Sequence, residues 1–317
     1  VRALVVDGSR VLEAHLERED SGPLPGALHV GRLVSRLGPR GIARLACGTE
    51  VLVQPLPEVS EGGLLCLEVS RMALPEAGRP RLARARPVAG TADRLGEISP
   101  GPALAERLRA AGHNVRTLLP RSADMLEAAG WGEVLGEAET GHLHFAGGML
   151  TITPTPALVA VDIDGTLPPP ALAEAGCVPL VQAIRRLGLA GSIVVDFPTL
   201  RGESRKALDR TLSAALKAHL PGPCEVTAVN GYGLVQIVRP HAHAGLMMAA
   251  RLPGHAALEL LRRAVRGIGP ATLTGPPAMI DWLAARPHLL AEVERARGGT
   301  LHLRSQPGLA TSAAHVG

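Results

Sequence analysis

Aromatic side chains are nearly absent: two Phe, one Tyr and two Trp are all that 317 residues contain. A stacking platform of the kind that single-strand binders assemble from several rings has few residues to draw on here. Lysine is scarcer still, at Lys206 and Lys217 alone, so nearly all of the 33 basic residues are arginine. Arginine suits bidentate phosphate contacts, and a formal net charge of +4 is compatible with a polyanionic partner, although a biased genomic composition also yields a chain rich in Ala, Gly, Pro and Arg. Cysteine occurs at Cys47, Cys66, Cys177 and Cys224 without a C-x-x-C pair. That spacing argues against a zinc knuckle and against a disulfide scaffold, and the four are expected as small core residues. No apolar run reaches membrane-spanning length, and Val1-Arg2-Ala3 leads straight into a strand pattern. Neither a signal peptide nor a membrane anchor is expected, and the expected address is cytoplasmic. With 46% hydrophobic residues the chain can bury a substantial core in two or three compact units.

The few aspartates are tellingly placed. Two short apolar runs each end on one: Val159-Ala160-Val161-Asp162-Ile163-Asp164 and, later, Ser192-Ile193-Val194-Val195-Asp196-Phe197. Continuous β-branched runs predict strands in a sheet covered on both faces, with the carboxylates at strand ends beside a loop. A lone Asp in such a place would simply cap a helix or turn. Carboxylates held close together repel unless a cation sits between them, and a hard ion such as Mg²⁺ needs oxygen ligands from rigid elements. Asp162, Asp164 and Asp196 therefore outline a metal site.

These stretches resemble the ribonuclease E/G family. Leu158-Val159-Ala160-Val161-Asp162-Ile163-Asp164 is similar to that family's Ala-Leu-x-Ala-Ile-Asp-Val-Asn, and Leu189-Ala190-Gly191-Ser192-Ile193-Val194-Val195-Asp196-Phe197 to its Leu-Gly-Gly-Ile-Ile-Val-Ile-Asp-Phe. Gly147-Gly148 and Ile152 resemble its Gly-Gly-x-x-x-Ile, and Tyr232-Gly233-Leu234-Val235-Gln236-Ile237 with Arg239 resembles its Phe-Gly-Leu-Leu-Glu-Met-x-Arg. The start, Arg2-Ala3-Leu4-Val5-Val6-Asp7-Gly8-Ser9-Arg10, is similar to its opening Arg-Val-Ala-Leu-Val-Asp-Gly-x-x. The resemblance implies an Mg²⁺-dependent endoribonuclease that cuts single-stranded RNA and leaves a 5′ phosphate. Asp162 and Asp196 would be catalytic and hold the ion; Asp164, in place of the family's Asn, would join the metal shell or repel substrate.

Arg185, Arg186, Arg201 and Arg239 are the expected phosphate clamps near that site, and Arg32, Arg36, Arg40 and Arg44 the candidates on the N-terminal part. Several departures from the family pattern favour a second reading, a non-catalytic RNA-binding or assembly protein on the same scaffold. The basic Arg-x-Thr segment after the first Asp is replaced by Gly165-Thr166-Leu167 and three prolines, and Gln54–Gly63 is acidic where lysines and aromatics are expected. A third reading takes Val161-Asp162-Ile163-Asp164-Gly165-Thr166 as the mark of a haloacid-dehalogenase-type phosphatase, with Asp162 as nucleophile and Asp164 as general acid/base. Such an enzyme needs a further acidic pair, yet the later aspartates, Asp196, Asp209 and Asp281, are far apart in sequence.

The pattern predicts an α/β chain of several units. Residues 1–85 read as β-rich, with short strands whose spacing suggests a small barrel; by the resemblance this is an OB-like RNA-binding domain set into an RNase H-like strand pair. Residues 86–145 read as a short helical remnant, with helices near Pro102–Ala111 and Ser122–Ala129. In the family this region senses an RNA 5′ monophosphate; Arg116-Thr117 lacks the flanking residues of that motif, so the sensor is expected to be absent or vestigial. Residues 146–250 alternate strand and helix as a layered α/β unit does, by resemblance DNase I-like, and 251–317 read as a small C-terminal α/β domain. Where the family carries zinc-sharing cysteines, this chain has His241 and His243. No structural zinc is expected there, so any homo-oligomer would form without it.

Overall fold

A computed structural model describes residues 1–18, 22–74, 81–119, 124–252 and 254–317. The chain is mixed α+β and divides into two compact units, Val1–Val115 with Ala129–Ala249, and Arg116–Ala128 with Ala250–Gly317. In the first unit, β1 (Arg2–Asp7) and β2 (Arg10–Leu16) form an antiparallel hairpin. Next come β3 (Leu28–Leu37), β4 (Arg40–Arg44), β5 (Glu50–Val53), β6 (Leu64–Arg71), β7 (Ala83–Pro87) and β8 (Gly96–Ser99). Five of them close into a barrel in the order β3-β4-β5-β7-β6 and back to β3, with β5 and β7 parallel. Alternation drives the closure: Leu33, Ala43, Val51, Val53, Leu65, Leu67, Ala83 and Ala85 point inward and are buried together. β7 and β8 carry the β-rich part past residue 85, where the sequence suggested helices. Its short, arginine-interrupted Ala83-Arg84-Ala85-Arg86-Pro87 hides a period of two behind charged outward residues.

α1 (Leu104–Ala110) packs Leu104 and Leu108 against Val5 of the hairpin. α2 (Met125–Ala128) is a single turn in the second unit, and the Ser122 start expected for that helix lies outside the described residues. α3 (Trp131–Thr140) was not foreseen; it starts on Trp131, 1% exposed, and the Arg2 guanidinium lies 5.1 Å over that ring.

The site rests on a second sheet. Its elements are β9 (His142–Phe145), β10 (Gly148–Pro154), β11 (Val159–Gly165), α4 (Pro169–Arg186), β12 (Gly191–Asp196), α5 (Gly202–His219), β13 (Glu225–Val226) and β14 (Leu234–Arg239). The strand order is β13-β14-β12-β11-β10-β9; β11 and β12 are parallel and the remaining pairs antiparallel. α4 is the crossover joining the parallel pair. Its buried stripe, Leu172, Ala173, Gly176, Cys177, Leu180, Val181, Ala183 and Ile184, has helical spacing. Pro179 lies inside it, at a cost of about 3 kcal/mol, which burial of the large members of that stripe offsets at roughly 1.5–3 kcal/mol each. Gly176 faces Ile163 of β11, and α4 packs in turn on α5.

α4 thus lies against one face of the sheet, at β9, β10 and β11, with α5 packed on it. The expectation of a sheet covered on both faces is corrected here: Val161, Ile163, Ile193, Val195, Val235 and Ile237 are buried, while their alternates Asp162, Asp164, Asp196, Leu234 and Gln236 are exposed. The apparently continuous apolar runs conceal a period of two, because Ala160 and Val194 occupy half-buried places on the open face. α6 (Leu246–Ala250) follows.

The second unit holds α7 (His255–Ala264), β15 (Ala271–Gly275), α8 (Pro277–Ala284), α9 (Pro287–Arg297), β16 (Leu301–Ser305) and β17 (His315–Val316). A three-stranded sheet in the order β16-β15-β17 shares a core with the helices, built from Leu260, Leu261, Leu273, Ile280 and Leu283. Asp124 pairs with Arg266, tying the segment around α2 to this unit. No helix among the described residues is long and apolar enough to cross a membrane.

A half-buried polar cluster joins hairpin, barrel and central sheet. His243 Nδ1 lies 3.8 Å from Glu17, which also pairs with Arg107. Burial first, then the charges of Arg107, His15 and His241 against the opposing pull of Glu17, push His243 down to about 4. Burial, Arg71 and Arg81 do the same to His241, also to about 4. Glu13 is held at about 2 by hydrogen bonds to His15 and Arg185 against its burial. Below pH 6.5 the unfolded chain takes up protons that the buried histidines refuse, so their stabilisation, full above that pH, is lost towards pH 4. The contribution of Glu13 persists to about pH 4.5 and is lost towards pH 2. The urea midpoint should be flat above pH 7 and fall between 6.5 and 4. The double variant His241→Gln, His243→Gln should shrink the fall in that window, leaving the part due to His29, which burial also pushes down; an unchanged drop in it would contradict the assignment.

Candidate active site

Register builds the site. Asp162 and Asp196 are direct partners across the parallel β11–β12 pair, and Asp196 is opposite Leu234 of β14. Paired residues in neighbouring strands project to the same face, so the two carboxylates stand side by side on the open face. Asp164, two residues along β11, shares that face. Asp196 is the last residue of its strand, whereas Asp162 lies within β11, paired with Thr151 of β10. Burial pushes the Asp162 carboxyl above its ordinary value, and the charge of Asp164, a hydrogen bond with Asp164 and the charge of Asp196 push the same way. Three like charges so placed favour a shared proton or a bound cation.

The donor set, all carboxylate oxygen on an accessible face, fits Mg²⁺, which takes one or two carboxylates and keeps several waters. Among the described residues no three His, Cys, Asp or Glu side chains converge closely enough to cage an ion by themselves. An ion at this place would sit in an open site, for which Asp162 and Asp196 are the candidate protein ligands. His241 and His243 belong to the polar cluster described above.

Most of the expected arginine clamps are elsewhere. α4 is 18 residues long, roughly 27 Å at 1.5 Å per residue; it starts beside the end of β11 and finishes at the start of β12, the end away from Asp196. Arg185, near its finish, gives Nε and Nη2 to Glu13 at 2.9 and 2.8 Å. Arg186 gives the same fork to Glu137 at 2.8 and 3.1 Å. Arg239 pairs in register with Gly191, the far end of β12, and donates to the carbonyls of Leu189 and Pro221, both at 3.2 Å. These three brace the fold behind or beyond the sheet. Arg201, just before α5, is the one of the four at the carboxylate end, and it is exposed.

On the barrel, Arg32 and Arg36 donate to the carbonyls of Gly62 and Val59, and Arg44 pairs with Glu50 at 2.7 Å. The acidic 54–63 segment thus folds back on the barrel's own arginines, while Arg40, the first residue of β4, stays exposed.

The open face also carries residues that the sequence reading passed over. Thr151 Oγ1 lies 3.5 Å from His142 Nδ1, in the same cross-strand row as Asp162. Gln236 donates to Ser192 Oγ at 2.8 Å one row away. Beside Asp196 the turn Asn230-Gly231-Tyr232-Gly233 presents the chain's single tyrosine, 80% exposed. The Asn-Gly dipeptide and the lone aromatic between glycines were the available signals. No protein-family model and no curated protein matches the chain.

Arg185→Ala should lower stability by about 2 kcal/mol, since it strips a charged fork from a largely buried carboxylate, and should shift oligonucleotide affinity less than twofold. Urea unfolding and fluorescence anisotropy check both; a tenfold loss of affinity at unchanged stability would make Arg185 a phosphate clamp after all.

Proposed function

We propose that this chain is an Mg²⁺-dependent endoribonuclease of single-stranded RNA, a reduced relative of the ribonuclease E/G enzymes it resembles. The observation that carries the reading is the in-register placement of Asp162 beside Asp196 on an open sheet face, with Asp164 adjoining. On this reading Asp162 and Asp196 hold the ion, and Arg201 contacts a phosphate at the same end of the sheet. When bound, Mg²⁺ supplies charge for the phosphodiester in the transition state and an activated water. Asp164 restricts how closely phosphate oxygens approach and favours a strand that enters over β12 and β14 rather than over β11. The closed barrel, read as OB-like, supports a nucleic-acid partner, since the second and third strands of that fold bind oligonucleotides; here they are β4 and β5. The hairpin is read as the RNase H-like strand pair, and the sheet with α4 on one face, and α5 packed on α4, as the DNase I-like layer.

A non-catalytic RNA-binding protein is the second reading, favoured by the additional charge of Asp164, which crowds the space a phosphate would occupy. The phosphatase reading loses ground: the sheet around Asp162 is mixed, with α4 packed on the face opposite the carboxylates, not the doubly wound parallel sheet that serves phosphate sites at strand ends.

A fluorogenic single-stranded RNA oligonucleotide should be cut with Mg²⁺ and spared with EDTA. Asp162→Asn and Asp196→Asn should each reduce the rate at least a hundredfold, because losing a ligand removes several kcal/mol of charge stabilisation, without shifting the urea midpoint downward. Cleavage at the parent rate by either variant would remove that residue from the site, and binding without cleavage by the parent would establish the second reading.

A further inference from the structure

Of the five aromatic residues, Phe197 and Trp131 are buried, and Phe145 and Trp282 are half-buried; Tyr232 alone is open to solvent, at 80% exposure. An exposed ring in a floppy loop would mean little, but this one stands on a fixed turn. Asn230 Oδ1 accepts the backbone N–H groups of Tyr232 at 2.9 Å and of Leu234 at 3.0 Å. The backbone N–H of Gly233 reaches the Asn230 carbonyl at 3.3 Å, and Phe197 N–H reaches the Gly233 carbonyl at 3.2 Å. Thr199 Oγ1 donates to the Tyr232 carbonyl at 3.3 Å. Gly233 has φ +95°, and a Cβ there would fall 2.2 Å from the Phe197 carbonyl oxygen, so only glycine brings the turn this close to β12. The same Cβ would lie 3.7 Å from Asp196 Oδ1, which places Tyr232 one residue from a carboxylate of the site.

None of these contacts uses the phenol ring, whose hydroxyl meets no partner among the described residues. Basic groups lie on the neighbouring helix start. Arg205 Nη1 lies 3.9 Å from where a Cβ on Gly231 would stand, and Arg201 is exposed at the start of the same helix. No ion pair among the described residues engages either arginine. An exposed ring on a hydrogen-bonded turn, one residue from a position 3.7 Å from Asp196 Oδ1 and on a segment that adjoins Arg205, offers what a nucleotide needs: a π-face for a base and cations for the neighbouring phosphates.

We infer that Tyr232 stacks a base of single-stranded nucleic acid next to Asp196, with Arg201 and Arg205 on the adjoining phosphates. The inference deepens the nuclease reading and rests on it for the polynucleotide, but it is tested by binding rather than turnover. The probe is a fluorescein-labelled oligouridylate dodecamer in EDTA at low salt, with the full chain, measured by anisotropy. Tyr232→Ala should weaken binding about tenfold, and Tyr232→Phe should stay within twofold of the parent. The difference between the parent and Tyr232→Ala should vanish on a dodecamer of abasic backbone. A 5-iodouridine oligonucleotide irradiated on the parent should crosslink to the peptide containing Tyr232.

Equal affinity of parent and Tyr232→Ala for oligouridylate overturns the inference, and if Mg²⁺-dependent cleavage is present the nuclease reading survives alone. Tenfold loss in Tyr232→Ala without any Mg²⁺-dependent cleavage by the parent leaves the stacking site standing and removes the nuclease. No binding by the parent at low salt overturns both.

Discussion

Parallel pairing of two strands in one register is the constraint on which the rest depends. Because Val159 meets Ile193 and Val161 meets Val195, Asp162 must meet Asp196. A slip of one residue would turn Asp196 to the buried face of the sheet and put a charge among Leu, Val and Ile side chains. The apolar alternates Val161, Ile163, Ile193 and Val195, all buried, thus hold the acidic residues in place. One face of these strands supplies the burial, and the carboxylates stand on the other.

The same pairing determines where basic residues can serve. A parallel pair needs a crossover that returns the chain to its starting end, and α4 does so over 18 residues. Its last turn, with Arg185 and Arg186, necessarily finishes at the end of the sheet away from Asp196, where Glu13 and Glu137 receive the two guanidinium groups. Burial raises the Glu137 carboxyl, and the charge and hydrogen bonds of Arg186 oppose that shift. The start of α5 and the 230–233 turn return to the carboxylate end, and that is where Arg201, Arg205 and Tyr232 are found.

How much of this was legible in sequence depended on how local each signal was. The hairpin, the first four barrel strands, α4, α5 and β14 follow from short-range alternation and helical spacing. The Asp162–Asp196 pairing followed because two similar runs separated by one helix length leave little topological choice. β7, β8, α3 and β15 escaped notice: their apolar residues are few, and their partners are distant in sequence, as Val51 is for Ala83. The two-faced burial was misjudged because Ala160 and Val194 made a half-exposed face look apolar. The arginines were misassigned for a related reason, since neither Glu13 nor Glu137 is near Arg185 or Arg186 in sequence, and an ion pair across 172 or 49 residues leaves no local trace. Tyr232 begins the Tyr-Gly-Leu-Val-Gln-Ile stretch, yet its value depends on exposure, which composition does not reveal.

The central claim is that Asp162 and Asp196 together hold one divalent cation. Mn²⁺ serves as a paramagnetic stand-in for Mg²⁺, being likewise suited to oxygen ligands, and free Mn²⁺ can be counted by electron paramagnetic resonance during titration of the protein. The account predicts one saturable Mn²⁺ per chain, displaced by excess Mg²⁺ and lost in the Asp162→Asn, Asp196→Asn double variant. Undiminished Mn²⁺ binding by the double variant, or no saturable binding by the parent, would contradict it.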